Sequence, residues 1–267
     1  MARTALSAKE LVGLLSRPGD AEVLRGDLAL VGLPGVVYTP ARGHGLPAVA
    51  FGHGWMQPAI RYAGLLRHLA SWGVVALAPD TQRGPLASAA ALAADLRTAL
   101  DVSTGVRLGT GDISVDGSRL GLVGHGTGGG AAVIAASTDP RVRAVALLAP
   151  AETRPSAVDA ARSVSATALV LIAGRDKVAP AAGHAEPIAS AWGGTVHVRA
   201  LPKASHLGFL EGRHWTDALV DGKPERATQR LTMALTTAFV LRELTGTSAY
   251  DRLLDSDVKG AVLQPVA

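Results

Sequence analysis

The sequence predicts an α/β fold, a mostly parallel central sheet of about eight strands with helices on both faces. Three observations carry that prediction. Short, wholly apolar runs, such as residues 74–78 and 168–173, read as strands buried on both sides. They alternate with Ala- and Leu-rich stretches at helical spacing. Hydrophobic residues fill 48% of the 267 positions and charged residues only 18%, enough apolar surface for one large core.

Taken in order, Ser7 and Glu10 have the spacing of a capping box, which opens a helix over 7–17 that Pro18 stops. Residues 23–31 and 35–39 form a hairpin around Leu33-Pro34-Gly35. A buried strand over 48–52 ends in His53-Gly54-Trp55-Met56. Leu65, Leu66 and Leu69 share a helical face within 58–72, and Gly73 closes that helix. Strand 74–78 runs into Pro79-Asp80 and is followed by a helix over 88–102. Strand 120–123, helix 127–136 and strand 144–148 come next, then strand 168–173, helix 181–192, strand 196–200 and a long amphipathic helix over 226–243. With no repeat and no linker, 1–267 reads as one domain with its core at about 22–245 and a loosely held tail at 256–267.

Composition excludes several function classes. The net charge is +4, but arginines such as Arg61, Arg67, Arg83 and Arg97 are spread singly, which suits a solvated surface and not a nucleic-acid interface. The absence of cysteine rules out disulfides, thiolate metal sites and cysteine nucleophiles. His44, His68, His184 and His197 lack partners at metal-ligand spacing, so neither metal nor cofactor is expected. Residues 1–19 contain no apolar leader core and no run is long enough to span a bilayer. The expectation is a cytoplasmic protein with no membrane partner and an oligomeric state the sequence does not specify.

Chemistry concentrates at Gly124-His125-Gly126-Thr127-Gly128, between a strand and a helix. Strand-to-helix turns of the form G-x-S-x-G carry an exposed nucleophile, and the outer glycines admit close chain packing. Here Gly126 stands where serine belongs, and a glycine adopts the strained backbone of that position without steric cost. The same residues also satisfy G-x-G-x-x-G, with Glu152 after the next strand, so dinucleotide binding is a weaker alternative.

Two further loops complete a constellation. Asp176 follows strand 168–173 and His206 follows strand 196–200, so a carboxylate orienting an imidazole is expected at the carboxyl edge of the sheet. The backbone N–H groups of Trp55 and Thr127 are the expected oxyanion-hole donors. Gly54, Met56, His125 and Ala151 are expected around the pocket, His125 as a packing residue, and His214 beside Trp215 is a weaker candidate.

Together, the stretches 51–55, 78–81, 115–130 and 174–180 with His184, and Ala204-Ser205-His206, resemble the lidless branch of the α/β-hydrolase superfamily. The pattern is most similar to dienelactone-hydrolase-like and cutinase-type polyester hydrolases. The resemblance implies a carboxylic-ester hydrolase with a small ester, acid or acyl ligand. The short connection between Pro150 and Ala168 implies that no lid domain is inserted there. Two departures stand out: Gly126 replaces the nucleophilic serine, and Ala151 replaces a tryptophan that often flanks the substrate of polyester hydrolases. The functional expectation is therefore a pseudoenzyme, inactive or weakly active on esters. The alternatives are a serine-independent hydrolase that activates water, or an active serine esterase carrying an introduced glycine.

Overall fold

The computed structural model describes residues 6–109, 111–218 and 222–265. Its strands are β1 (Val23–Asp27), β2 (Gly35–Pro40), β3 (Gly43–Gly52), β4 (Val75–Pro79), β5 (Ile113–His125), β6 (Val142–Leu148), β7 (Thr167–Ala173), β8 (Val196–Leu201) and β9 (Val262–Gln264). Its helices are α1 (Ala8–Leu15), α2 (Ala63–Ser71), α3 (Ala89–Gly105), α4 (Thr127–Thr138), α5 (Ala157–Ala161), α6 (Ala185–Ser190), α7 (Arg226–Thr245) and α8 (Asp251–Asp255). Among the described residues the nine strands form one sheet in the order β1-β2-β4-β3-β5-β6-β7-β8-β9. Pairing is parallel from β4 through β8 and antiparallel at the two ends. This is the architecture of an α/β-hydrolase fold.

Because strand side chains alternate between faces, each apolar strand feeds two cores. Val49 and Phe51 of β3 and Leu171 of β7 pack with Leu11, Leu66, Phe239 and Leu254, so α1, α2, α7 and α8 cover one face. Ala48 and Ala50 of β3 and Val170 of β7 pack with Leu96, Ala132, Ala157 and Ile188, so α3 to α6 cover the other.

Several elements differ from expectation. Residues 28–31 form a 3-10 turn instead of continuing the first strand, because the Asp27 carboxylate accepts the Ala29 N–H at 2.9 Å and Gly32 closes the turn at φ 81°. The stretch 58–72 breaks into a 3-10 turn, Ala59–Tyr62, followed by α2. The connection after β6 contains one short helix, α5.

The expected loose tail at 256–267 is corrected where the structure describes it; residues 266–267, like 1–5 at the other end, lie outside the described residues. β9 pairs with β8, which makes nine strands where about eight were expected. The physical reason is Arg199, fully buried on β8. Its guanidinium donates to the carbonyls of Leu253 (2.7 Å), Leu254 (2.8 Å), Ser256 (2.8 Å) and Ala261 (3.0 Å). One charged side chain thereby satisfies the last carbonyls of α8 and pulls the following chain onto the sheet edge.

Candidate active site

At the carboxyl end of β5 the backbone of Gly126 adopts φ 54° and ψ −123°, and α4 begins at the next residue. Those angles belong to the first central position of a type II′ turn, where a side chain is strained and glycine is not. The outer glycines are needed for packing: a Cβ on Gly124 would meet the Gly128 carbonyl, and one on Gly128 would meet the carbonyls of Gly52 and His53. The turn is thus clamped against the end of β3. The Gly126 carbonyl accepts the Ala151 N–H at 2.8 Å, and its N–H donates to Leu148 at 3.1 Å.

The bare face of Gly126 is turned towards His206. An ideal Cβ there would lie 2.9 Å from His206 Nε2 and 3.1 Å from Cε1. His206 follows β8, and its Nδ1 pairs with Oδ2 of Asp176, in the loop after β7, at 2.7 Å. The other carboxylate oxygen of Asp176 accepts the N–H groups of Val178 and Ala179, both at 2.8 Å. The Asp176 side chain is 1% exposed and that of His206 9%. The acceptor-only carboxylate places a proton on Nδ1, so in the neutral ring the lone pair lies on Nε2, the nitrogen that faces the tip of the turn. Gly126, Asp176 and His206 are therefore brought together.

Behind this dyad lies a buried network that sequence reasoning missed. The Gly54 N–H donates to the Tyr62 hydroxyl at 3.0 Å, and that hydroxyl donates to His125 Nδ1 at 2.8 Å. His125 Nε2–H then donates to the backbone carbonyl of His206 at 3.0 Å. The donor order follows from the carbonyl, which only accepts, and fixes the neutral tautomer of His125. Burial pushes the His125 pKa well below the ordinary histidine range, with the nearby His206 adding to the effect, and burial raises that of Tyr62 far above the ordinary tyrosine value. The His125 ring also lies 4.5 Å from the His206 ring and 5.4 Å from that of Phe209, centroid to centroid. Three loops of the site are tied together through two side chains. Only long-range placement reveals this, since Tyr62 and His125 are 63 positions apart.

Next to the Gly126 turn, which it meets at Thr127, is a cleft of about 200 Å³ whose walls include Trp55, Gln82, Leu92, Glu152 and Arg154. Trp55, half exposed, is braced by an Nε1–H bond to the Pro85 carbonyl at 3.0 Å. Thr127 heads α4, so its N–H has no intrahelical acceptor. Gly54, Met56, His125 and Ala151 do not line this cleft: Gly54, His125 and Ala151 are buried behind it, while Met56 is half buried in the Trp55 turn. The His214 ring lies tilted against that of Trp215 (centroids 5.6 Å) outside it. A larger cavity of about 410 Å³, between α6, β8 and β9, contains no residue of the dyad or of the Gly126 turn; the 200 Å³ cleft also has neither His206 nor Asp176 in its walls, but meets the turn at Thr127.

Among the described residues, the non-glycine positions with left-handed backbone are Met56 (φ 55°), Gln82 (φ 53°) and Ala149 (φ 43°). All three border the site, where strained backbone tends to gather. The second glycine of G-x-G-x-x-G, whose bare face would admit a pyrophosphate, faces the His206 imidazole instead. Among the described residues no group of three or more His, Asp or Glu side chains is placed to hold a metal ion. No helix among them is long and apolar enough to cross a membrane.

Comparison with known proteins places the chain among ester hydrolases. The chain is 30% identical over 177 residues to cutinase est1 of Thermobifida alba, covering 66% of this chain and 55% of that protein. It is 32% identical over 196 residues to a bis(hydroxyethyl) terephthalate hydrolase of Streptomyces coelicolor, covering 72% and 57%. A cutinase of Thermobifida fusca is 31% identical, with 66% and 54% covered. The chain thus spans a little over half the length of these relatives. The PETase family, described as PET hydrolase-like, matches residues 31–200, which include Gly126 and Asp176 and stop short of His206. With well over half of its length matched, the chain belongs to the PET hydrolase-like family of α/β-hydrolase proteins.

Proposed function

We propose that the chain binds small carboxylic esters in a cutinase-like cleft and does not form an acyl-enzyme. One observation carries this reading: an oriented His206–Asp176 pair whose Nε2 faces Gly126, a residue with no atom able to attack. The relatives named as cutinases and as a bis(hydroxyethyl) terephthalate hydrolase supply the ester chemistry. In the bound state the ester carbonyl accepts the N–H groups of Trp55 and Thr127, which do not depend on any side chain.

The same orientation favours one further reading, slow hydrolysis by water. His206 takes a proton from water through Nε2 while the water oxygen bonds to the carbonyl carbon; the tetrahedral adduct collapses, the C–O bond breaks, and the proton passes to the leaving alkoxide. Triads without their nucleophile keep only about 10³–10⁴-fold acceleration over water. The test is incubation with p-nitrophenyl butyrate and with a fluorophosphonate that labels active serines. Binding without adduct is expected, with any slow turnover lost in His206→Ala. A burst of product with a covalent acyl or phosphonyl adduct overturns the proposal.

A further inference from the structure

We propose that the ligand of this cleft carries a carboxylate in addition to its ester, as in a short monoester of a dicarboxylic acid. The inference rests on the ester-binding reading above and specifies its substrate class. Its main observation is Arg154, which lines the cleft beside Thr127, is solvent-exposed, and has no ion-pair partner among the described residues. The acidic residue on the same wall, Glu152, is otherwise engaged: its Oε2 accepts the Val158 N–H at 3.0 Å at the start of α5. Among the residues lining the cleft Arg154 is thus the one Lys or Arg, and it is not ion-paired with the Glu152 carboxylate that shares the lining.

Nearby side chains add donors. The Gln82 carbonyl oxygen accepts the Ser88 N–H at 3.2 Å, which leaves the Gln82 amide nitrogen able to donate. The Ser88 oxygen accepts the Ala91 N–H at 3.2 Å, which leaves its hydroxyl proton available. Gln82 holds this place with a left-handed backbone, φ 53°, a conformation that costs free energy in a non-glycine residue. Leu92, Ala89 and the Trp55 ring supply apolar surface for a short acyl chain. At about 200 Å³ the cleft falls below the roughly 300–1,000 Å³ of sites for drug-sized ligands, so the acid is short. An exposed, forked guanidinium distinguishes a carboxylate from its methyl ester about five- to tenfold.

Binding of monomethyl glutarate and dimethyl glutarate to the unaltered chain, measured by titration calorimetry at low and high salt, tests this. The monoester should bind about five- to tenfold more tightly at low salt. The preference should vanish in Arg154→Gln and shrink at high salt. Arg154→Lys should keep part of the preference. Equal binding of the two probes, or a preference that survives Arg154→Gln, overturns the inference. The parent reading is checked separately by hydrolysis of p-nitrophenyl acetate by Gly126→Ser. Turnover there without a monoester preference sinks only the carboxylate assignment, whereas failure of both sinks the ester site itself.

Discussion

Placing a serine at 126 tests the site most directly, because the structure sets both its cost and its gain. The cost has two parts. A side chain at φ 54°, ψ −123° occupies a sparsely populated region, worth about 1–3 kcal/mol. The new Cβ would also lie 2.9 Å from His206 Nε2, so the imidazole must retreat by about 0.5 Å to reach an ordinary contact. His206 can supply that by a small side-chain rotation at a cost under about 1 kcal/mol. The variant should therefore melt about 3–10 °C below the parent.

The gain is catalytic. In subtilisin, the reference case, loss of the serine lowers kcat by about 10⁶, and a misplacement of about 1 Å costs about 10²-fold. A serine on this pre-oriented but slightly crowded dyad should raise p-nitrophenyl butyrate hydrolysis by at least about 10³-fold. It should also make the protein a target for fluorophosphonate. Gly126→Ala is the control, with the same strain and melting loss but no gain. A folded Gly126→Ser protein with under about tenfold gain and no label would refute the claim that His206 and this turn form a catalytic geometry.

Tyr62→Phe strands the Gly54 N–H and His125 Nδ1 in the interior, and should cost about 1–3 kcal/mol in urea unfolding. In the Gly126→Ser background it should also lower kcat more than it raises KM, since it loosens the loops that hold the donors; unchanged kcat would count against the positioning role. Acidification should destabilise the protein: burial lowers the pKa values of His125, His68 and His197, so the unfolded chain binds more protons than the folded one below the ordinary histidine range. Stability is then fully present above that range and falls with pH; His125 alone accounts for about 1.4 kcal/mol between pH 7.5 and 5.5 if it stays neutral. Unfolding free energies that are flat or rising over that descent would contradict the buried neutral assignment. Arg199→Met leaves four carbonyls without their donor and should lower stability by about 3 kcal/mol, with hydrogen exchange accelerating first at β9; protection there equal to the parent's would refute the clamp.

Much of this was readable in the sequence because the informative features are local. Parallel strands buried on both faces leave unbroken apolar runs, as at β4 and β7, and the residues just beyond such runs lie at one edge of the sheet. That is why Gly126, Asp176 and His206 could be assigned to one place before any geometry was known. Boundaries failed where local chemistry competed with pattern. Leu28–Val31 has the composition of a strand, yet the Asp27 cap turns it. β3 begins at Gly43, where His44, Gly45 and Pro47 disguise a strand. β9 was illegible because it depends on a guanidinium that reaches Ala261 across 62 positions. The Tyr62–His125 network was hidden for the same reason: neither residue has a local signature, and their meaning arises only when the chain brings them together.

The energetics of the site bear on why its polar parts matter. A buried carboxylate and imidazole gain little for stability, since desolvation offsets much of their attraction and apolar replacements are often neutral or better. Yet Asp176 is 1% exposed, satisfied by two N–H groups, and pinned to His206. Behind it, His125 is held neutral by burial at further cost in acid. The backbone turn points the other way: with glycine at its tip, the strain that a serine would impose is absent. The chain therefore carries the desolvation cost of a buried carboxylate–imidazole pair without backbone strain at the turn the imidazole faces. Packing alone would be served equally well by Leu and Phe, so the buried polar pair is in keeping with the ester-binding role proposed above.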